Sequence, residues 1–182
     1  SDEEPLSMHC TSESSMELSD TDAQCKPIYP QKKILNVKYI SQEPNYPCGC
    51  EGVSAVMLLD YHGFKISVDE FFENALDTFP FTYNKRTDSY YGEDMDRYYV
   101  GDPTTELGKG CFAPVIKAAV EKVVPDEYIA VVEQGYTVSE LVEEYVKKQN
   151  KPILLWATSL MRSSYKGTTW HINRTGGTYS FP

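Results

Sequence analysis

The chain has 182 residues, of which 41% are hydrophobic, and it carries a formal net charge of −10. This length and composition suit one globular domain with a sizeable core and exclude a largely disordered chain. No apolar run approaches the roughly 18 residues that a membrane span needs, so we expect none. Nucleic-acid binding is also excluded, because the chain lacks the surplus of basic residues that would follow phosphates.

The acidity is concentrated at the N-terminus. Residues 1–25 contain seven Asp or Glu and no Lys or Arg, whereas the rest of the chain has 20 acidic and 17 basic residues. Residues 1–33 are also rich in Ser, Thr and Pro, with little apolar periodicity. We therefore predict an acidic, flexible N-terminal linker over residues 1–33 and a folded domain over residues 34–182. Without an initiator Met or an apolar leader, we expect a processed or recombinant fragment.

A strand and a helix are the first predicted elements of the domain. Residues 34–40 alternate apolar and polar side chains, as a half-buried strand does. After a loop rich in Pro, Asn and Gly, a helix is predicted to begin at Cys50 and to end at Gly63. Apolar residues surround nearly its whole circumference, which predicts packing on several sides.

The rest of the chain contains helix, loop and strand signals. Capping boxes and a proline suited to a first helical turn predict three helices, over residues 68–76, 113–124 and 138–148. Apolar runs predict two strands, over residues 128–132 and 152–158. Residues 77–110, rich in Gly, Pro and Tyr, predict a long irregular loop. This order predicts an α+β fold in which a helical lobe packs on an antiparallel sheet.

Five cysteines lie at positions 10, 25, 48, 50 and 111. Because the number is odd, at least one thiol is free or paired outside the chain. Two arrangements stay open. Disulfides Cys10–Cys25 and Cys48–Cys111, with Cys50 free, would suit an exported protein, and five reduced cysteines are the alternative.

Cys50 is the candidate nucleophile. It occupies the first turn of the predicted helix, where unpaired N–H groups carry partial positive charge and favour the reactive thiolate. Gln42, eight residues earlier, has an amide that can donate a hydrogen bond to a developing oxyanion. A buried structural cysteine and a surface glutamine are the alternatives. Cys48 ranks second as nucleophile, and we favour a structural role for it.

The chain resembles the peptidase C39-like family, which has a papain-like cysteine peptidase fold. The similarity consists of short blocks in the family's order, among them Gly49-Cys-Glu51, and it extends over residues 34–182. The other blocks lie at residues 35–42, 53–57, 68–71, 101–103, 110–116 and 151–156. The resemblance implies an α+β papain-like fold, a peptide or protein substrate, Cys50 as nucleophile and Gln42 as oxyanion donor. No metal-ligand spacing appears in the sequence, so we predict no metal and no cofactor, and the substrate-binding residues stay unknown.

The catalytic histidine is where this chain departs from the family pattern. In the family it follows the strand at 151–156 within a segment of the type Asn-Glu-His-Cys. The resemblance therefore implies either that the histidine lies beyond Pro182, so that the domain is C-terminally incomplete here, or that the protein lacks it. Within the chain His171 is the candidate base, with a loop histidine as the alternative. His62 is excluded, because twelve helical residues place it about 18 Å from Cys50.

These observations predict an exported cysteine peptidase or related amide hydrolase, extracellular or at a bacterial cell surface. The alternative is a non-catalytic C39-like binding or adhesion module that uses the tyrosines of residues 77–110. A leader-peptide-processing domain fused to an exporter is a third possibility that the family allows. A histidine beyond Pro182, followed by an apolar strand and an Asp or Asn, would favour the enzyme.

Overall fold

The computed structural model describes residues 33–158, 162–163, 167–172 and 175–180. By their internal contacts residues 1–34 and 35–182 form separate units, and the candidate site lies in the second. The predicted Cys10–Cys25 disulfide and the predicted linker, apart from its last residue, lie outside the described residues.

Helices begin where the capping signals place them. They are α1 (Cys50–Tyr61), α2 (Val68–Asn74), α3 (Ala113–Val123) and α4 (Val138–Leu141), which continues as a π-helical segment, Val142–Lys148. The Ser67 hydroxyl accepts a hydrogen bond from the Glu70 N–H, and Thr137 and Glu140 form a reciprocal capping box. Gly63 has a φ of +89° just after α1, a conformation that favours glycine.

Six short strands form two sheets in the described part of the chain. They are β1 (Thr78–Phe79), β2 (Thr82–Asn84), β3 (Ser89–Gly92), β4 (Tyr99–Val100), β5 (Thr169–Ile172) and β6 (Thr178–Ser180). Strands β1 and β4 pair in parallel, and the second sheet has the order β2-β3-β5-β6.

The second sheet is mixed, so the prediction of an antiparallel sheet is wrong for these strands. Two pairs, β2 with β3 and β5 with β6, are antiparallel, whereas β3 and β5 are parallel. Only four or five residues separate the two strands of each antiparallel pair, whereas a long stretch of chain separates β3 from β5. Such a long connection permits parallel pairing, which a two-residue hairpin does not.

The predicted irregular loop over residues 77–110 instead contains the first four strands. Aromatic contacts hold the β2–β3 hairpin together: the Tyr83 and Tyr90 rings, on paired residues, have centroids 5.0 Å apart. Phe81 stacks on Tyr90 with a centroid distance of 5.2 Å. Cross-strand aromatic pairs stabilise such hairpins, but strands of two to four residues give too little alternation to be recognised in the sequence.

Three predicted strands, over residues 34–40, 128–132 and 152–158, have no ladder partner among the described residues. Burial nevertheless alternates in two of them, although the sequence predicted this alternation only for residues 34–40. Leu35 and Val37 are half-buried between exposed neighbours, and residues 151–156 alternate in the same way. For residues 34–40 the sequence period therefore identified an extended backbone with one buried side, although no ladder forms there within the described ranges.

The main core lies where α1 packs against α2 and α3. Ala55, Phe71 and Tyr99 are fully buried there. A smaller apolar cluster surrounds Trp170 in the second sheet. No helix among the described residues is long and apolar enough to cross a membrane.

The helix α1 packs on several sides, as predicted, but one of its sides is not covered by this core. Ser54 is exposed, and Met57 and Leu58 are half-buried. These three residues line a groove of about 250 Å³ together with Val37 and residues 152–155.

Candidate active site

Cys50 is the first residue of α1, and it is exposed. The preceding residue, Gly49, has no side chain to cap the helix, and its carbonyl accepts the Val53 N–H at 2.9 Å. The N–H groups of a first helical turn have no intrahelical acceptor. The chain thus presents a thiol and several free donors at one helix end.

Two glycines allow the first turn of α1 to pack on α2. A Cβ at Gly52 would lie 2.0 Å from the Phe72 ring, and one at Gly49 would lie 2.9 Å from the same ring. The Tyr46 ring meets Phe72 edge-on at 5.3 Å, and the Tyr46 hydroxyl donates to the Asp69 carboxylate at 2.6 Å. These contacts fix the loop before Cys50 to α2.

Gln42 lies in the same loop. Its side-chain amide donates a hydrogen bond to the Pro47 carbonyl at 3.1 Å, and its backbone carbonyl accepts the Tyr46 N–H at 2.7 Å. The Gly49 N–H in turn donates to the Tyr46 carbonyl at 2.9 Å. The loop is therefore folded on itself, and it holds the Gln42 amide against the segment that leads into Cys50.

The Cys50 thiol donates a hydrogen bond to Glu51 Oε2 at 3.2 Å. Partial burial raises the pKa of Cys50 to about 11, and the charge of Glu51 and this hydrogen bond add to the increase. The predicted shift toward thiolate is therefore wrong for this arrangement. A helix N-terminus contributes only about 0.3–1 kcal/mol at an exposed position, so burial and an adjacent carboxylate outweigh it.

Glu51 also contacts the segment before α3. Its Oε1 accepts the Cys111 N–H at 3.3 Å. Gly110, with a φ of +99°, makes room for this contact, since a Cβ there would lie 2.4 Å from Glu51 Oε1. The Cys111 carbonyl accepts the Trp156 indole N–H at 3.0 Å. The sequence alone does not pair Glu51 with Cys111, and the Gly110-Cys111 block was the one signal that could have revealed this partner.

Cys48, Cys50 and Cys111 are all free thiols, so the predicted Cys48–Cys111 disulfide is wrong. Different contacts hold the two cysteines of that pair. Cys48 is half-buried, its carbonyl accepts the Tyr99 hydroxyl at 2.5 Å, and a Cβ at Gly108 would lie 2.6 Å from its Cβ. Cys111 is 1% exposed, and this burial raises the pKa of its thiol. An odd number of cysteines limits which disulfides are possible, but a disulfide also requires that the fold place two thiols close together.

His171 lies on β5, in the mixed sheet. It is exposed, pairs with Tyr91 and Thr178 in the ladders, and has its ring 5.3 Å from the Tyr91 ring. No hydrogen bond within the described ranges joins a histidine to Cys50. The structure thus places Gln42 in the loop that leads into Cys50, whereas His171 makes its contacts on β5. The role of His171 as base stays a prediction.

The family assignment comes from the sequence match. The sequence model described as the Peptidase_C39 like family matches residues 34–175. The chain belongs to this C39-like family. The predicted resemblance is confirmed, and the match includes all three candidate residues, Cys50, Gln42 and His171.

One solved structure is similar to this C39-like chain: a candidate C39-like peptidase from Bacillus anthracis, with 23% identity and a TM-score of 0.42. The match covers 50% of this chain and 45% of that one. At this level the likeness carries no argument about the site. No curated protein matches the sequence.

Proposed function

We propose that this C39-like protein is a cysteine peptidase or related amide hydrolase with Cys50 as its nucleophile. The observation that carries the proposal is an exposed thiol at the first position of α1, within the residues that match the family. Cys50 Sγ would attack an amide carbonyl, the amine would leave after gaining a proton, and water would cleave the resulting thioester.

The oxyanion of the tetrahedral intermediate would be held by the N–H groups of the first turn and by Gln42. The amide nitrogen of Gln42 carries two N–H groups, and the bond to Pro47 uses one of them. The second is available for the oxyanion, as such sites require preorganised donors.

We place the general base in a histidine that follows residue 182 in the complete protein, in keeping with a papain-like fold. A thiol with a pKa of about 11 is ionised to only about one part in 10⁴ at pH 7, so attack requires a group that takes its proton. The same group would then return the proton to the leaving amine.

The uncovered side of α1 supports this placement. Cys50, Ser54 and Leu58 follow each other at four-residue intervals, so they share one face of the helix. That face borders the groove, which is also lined by Val37 and residues 152–155, from two segments that have no ladder partner among the described residues. Extended segments with one apolar side and no ladder are suited to receive another strand. A strand added in this groove would run beside the helix face that ends at Cys50.

The test is peptide hydrolysis by protein expressed from a coding sequence that extends past Pro182. We expect C50A to abolish hydrolysis and C48A, the matched cysteine control, to retain it. Loss of the base typically lowers rates by about 10²–10⁴-fold, and we expect this deficit for the 182-residue chain. Hydrolysis that survives C50A would refute the proposal, and an H171A variant of the 182-residue chain with further reduced turnover would move the base to His171.

A non-catalytic binding module is the second candidate, and the β2–β3 hairpin favours it. Tyr83 and Tyr90 are 47% and 41% exposed and form one aromatic row with Phe81. Exposed aromatic side chains are common in recognition surfaces because they offer large contact areas. This candidate requires that the coding sequence past Pro182 lack a histidine, and that Y83A and Y90A weaken binding of a peptide ligand.

We further propose that the protein acts outside the cell on peptide or protein substrates. The match to a peptidase-like family supports the substrate class. Fractionation of producing cells tests it, and recovery of the protein only from the cell interior would contradict it.

A further inference from the structure

Glu51 joins the two segments that meet at the candidate nucleophile. One of its carboxylate oxygens accepts the Cys50 thiol at 3.2 Å, and the other accepts the Cys111 N–H at 3.3 Å. The side chain is half-buried, and Gly110 leaves the space that it occupies. Both carboxylate oxygens of Glu51 thus accept a hydrogen bond, and one of them contacts Cys50 Sγ.

We propose that Glu51 is a positioning residue that holds the Cys50 thiol as a neutral hydrogen-bond donor until a base takes its proton. A carboxylate accepts hydrogen bonds and cannot donate one, so the contact requires the proton to be on the sulfur. A thiolate at the same position would face a like charge. This inference rests on the proposed function, since it assigns Glu51 a role at that nucleophile.

The other titratable groups around the thiol do not offset this effect. Burial is the largest cause of the raised Cys50 pKa, and Glu51 provides the next two, its charge and its hydrogen bond. Cys111 and Tyr99, which are electrostatically coupled to Cys50 from the opposing segments, both have raised pKa values and stay neutral near pH 8. Cys48 also has a raised pKa. Among the described residues, two backbone N–H groups, those of Cys50 and Glu51, lower the Cys50 pKa, no cation contributes to it, and Glu51 is the charged neighbour.

The experiment measures alkylation of Cys50 by iodoacetamide between pH 6 and pH 11, with peptide mapping to separate its product from those of the other cysteines. For E51Q we expect a profile displaced to lower pH and a rate at pH 8 that is about three- to tenfold higher than in wild type. This range follows from a pKa lowered by about one unit to somewhat less than two, reduced by the weaker nucleophilicity of a less basic thiolate. Burial of the thiol is unchanged, so the pKa stays above that of a free cysteine.

Two further variants make the result specific. E73Q removes a carboxylate from an exposed position of α2, and it should leave the alkylation profile unchanged. E51D keeps the charge and should give a smaller displacement than E51Q. An unchanged or slower rate in E51Q would overturn the proposal, and a slower rate would assign Glu51 as a base instead. Equal profiles for E51D and E51Q would also overturn it, because packing and not charge would then control the thiol.

The S–H stretching band of Cys50 provides a measurement that needs no Glu51 variant. Assigned by difference from C50A, this band should lie at the lower frequency of a hydrogen-bonded thiol, and a free-thiol frequency would contradict the proposal. Alkylation and infrared absorption require neither a base nor a substrate. If these two measurements contradict the role of Glu51, peptide hydrolysis still tests the proposed function. If no hydrolysis is found, the two measurements still test whether Glu51 keeps the Cys50 thiol protonated.

Discussion

The contact between Gly52 and Phe72 can be tested by adding a single carbon atom. Gly52 is buried in the first turn of α1, and an alanine Cβ there would lie 2.0 Å from Phe72 Cε1 and 2.8 Å from Cζ. The ring is 8% exposed and belongs to the main core, so it has little freedom to move away. We therefore expect G52A to destabilise the protein, although alanine is the better helix former.

Two opposing effects determine the magnitude. Replacing Gly by Ala inside a helix stabilises it by about 1 kcal/mol. Inserting a methyl group into a packed core typically destabilises by about 1–3 kcal/mol, and a separation of 2.0 Å places this site at the upper end. The expected net effect is a destabilisation of about 1–2 kcal/mol.

Urea unfolding of the full chain, followed by circular dichroism, measures this difference. The F72L background provides the decisive comparison, because leucine lacks the ring atoms nearest to the added Cβ. In that background G52A should become neutral or stabilising by up to about 1 kcal/mol, which is the helix propensity alone. S54A, at an exposed position of the same helix, should change stability by less than about 0.5 kcal/mol. A stabilising G52A in the wild-type background would refute the packing described here.

Three further outcomes follow from individual contacts. Iodoacetamide should modify Cys50 in the native protein well before Cys111, which is 1% exposed, and mass spectrometry showing the reverse order would contradict the placement of both thiols. Y99F should lower stability by about 1–3 kcal/mol in urea unfolding, because it removes the only hydroxyl that donates to the Cys48 carbonyl among the described residues, and an unchanged midpoint would exclude that bond. T137A should cost about 1 kcal/mol by removing the capping box, whereas T137S should retain most of it, and equal midpoints for the two would exclude capping as the cause.

The helices could be predicted because their signals are local. The hydroxyls of Ser67 and Thr137 bond to N–H groups three residues away, so a window of four residues contains the whole interaction. Gly63 marks the end of α1 for an equally local reason, its positive φ. The end of α2 was harder to predict, since the helix stops at Asn74 although apolar residues continue to Leu76.

The strands could not be predicted in the same way, because a ladder depends on a distant partner. Tyr91 pairs with His171, and nothing near either residue in the sequence specifies the other. Conversely, residues 34–40 have the alternation of a strand and residues 152–158 have an apolar run, but no ladder forms at either segment among the described residues. The periodicity of a sequence indicates which side of a segment is buried, but which strands pair depends on the whole fold.

The candidate site shows the same division between local and distant information. The position of Cys50 at the start of α1 followed from the neighbouring residues, and so did its helix dipole. Its protonation state did not, because Glu51 is directed toward the sulfur while its other oxygen bonds to Cys111, sixty positions away. That contact depends on Gly110, where any side chain would displace the carboxylate. A helix start is therefore not sufficient to activate a cysteine: the sign of the pKa shift is set by burial and by the charge that the rest of the fold places beside the sulfur.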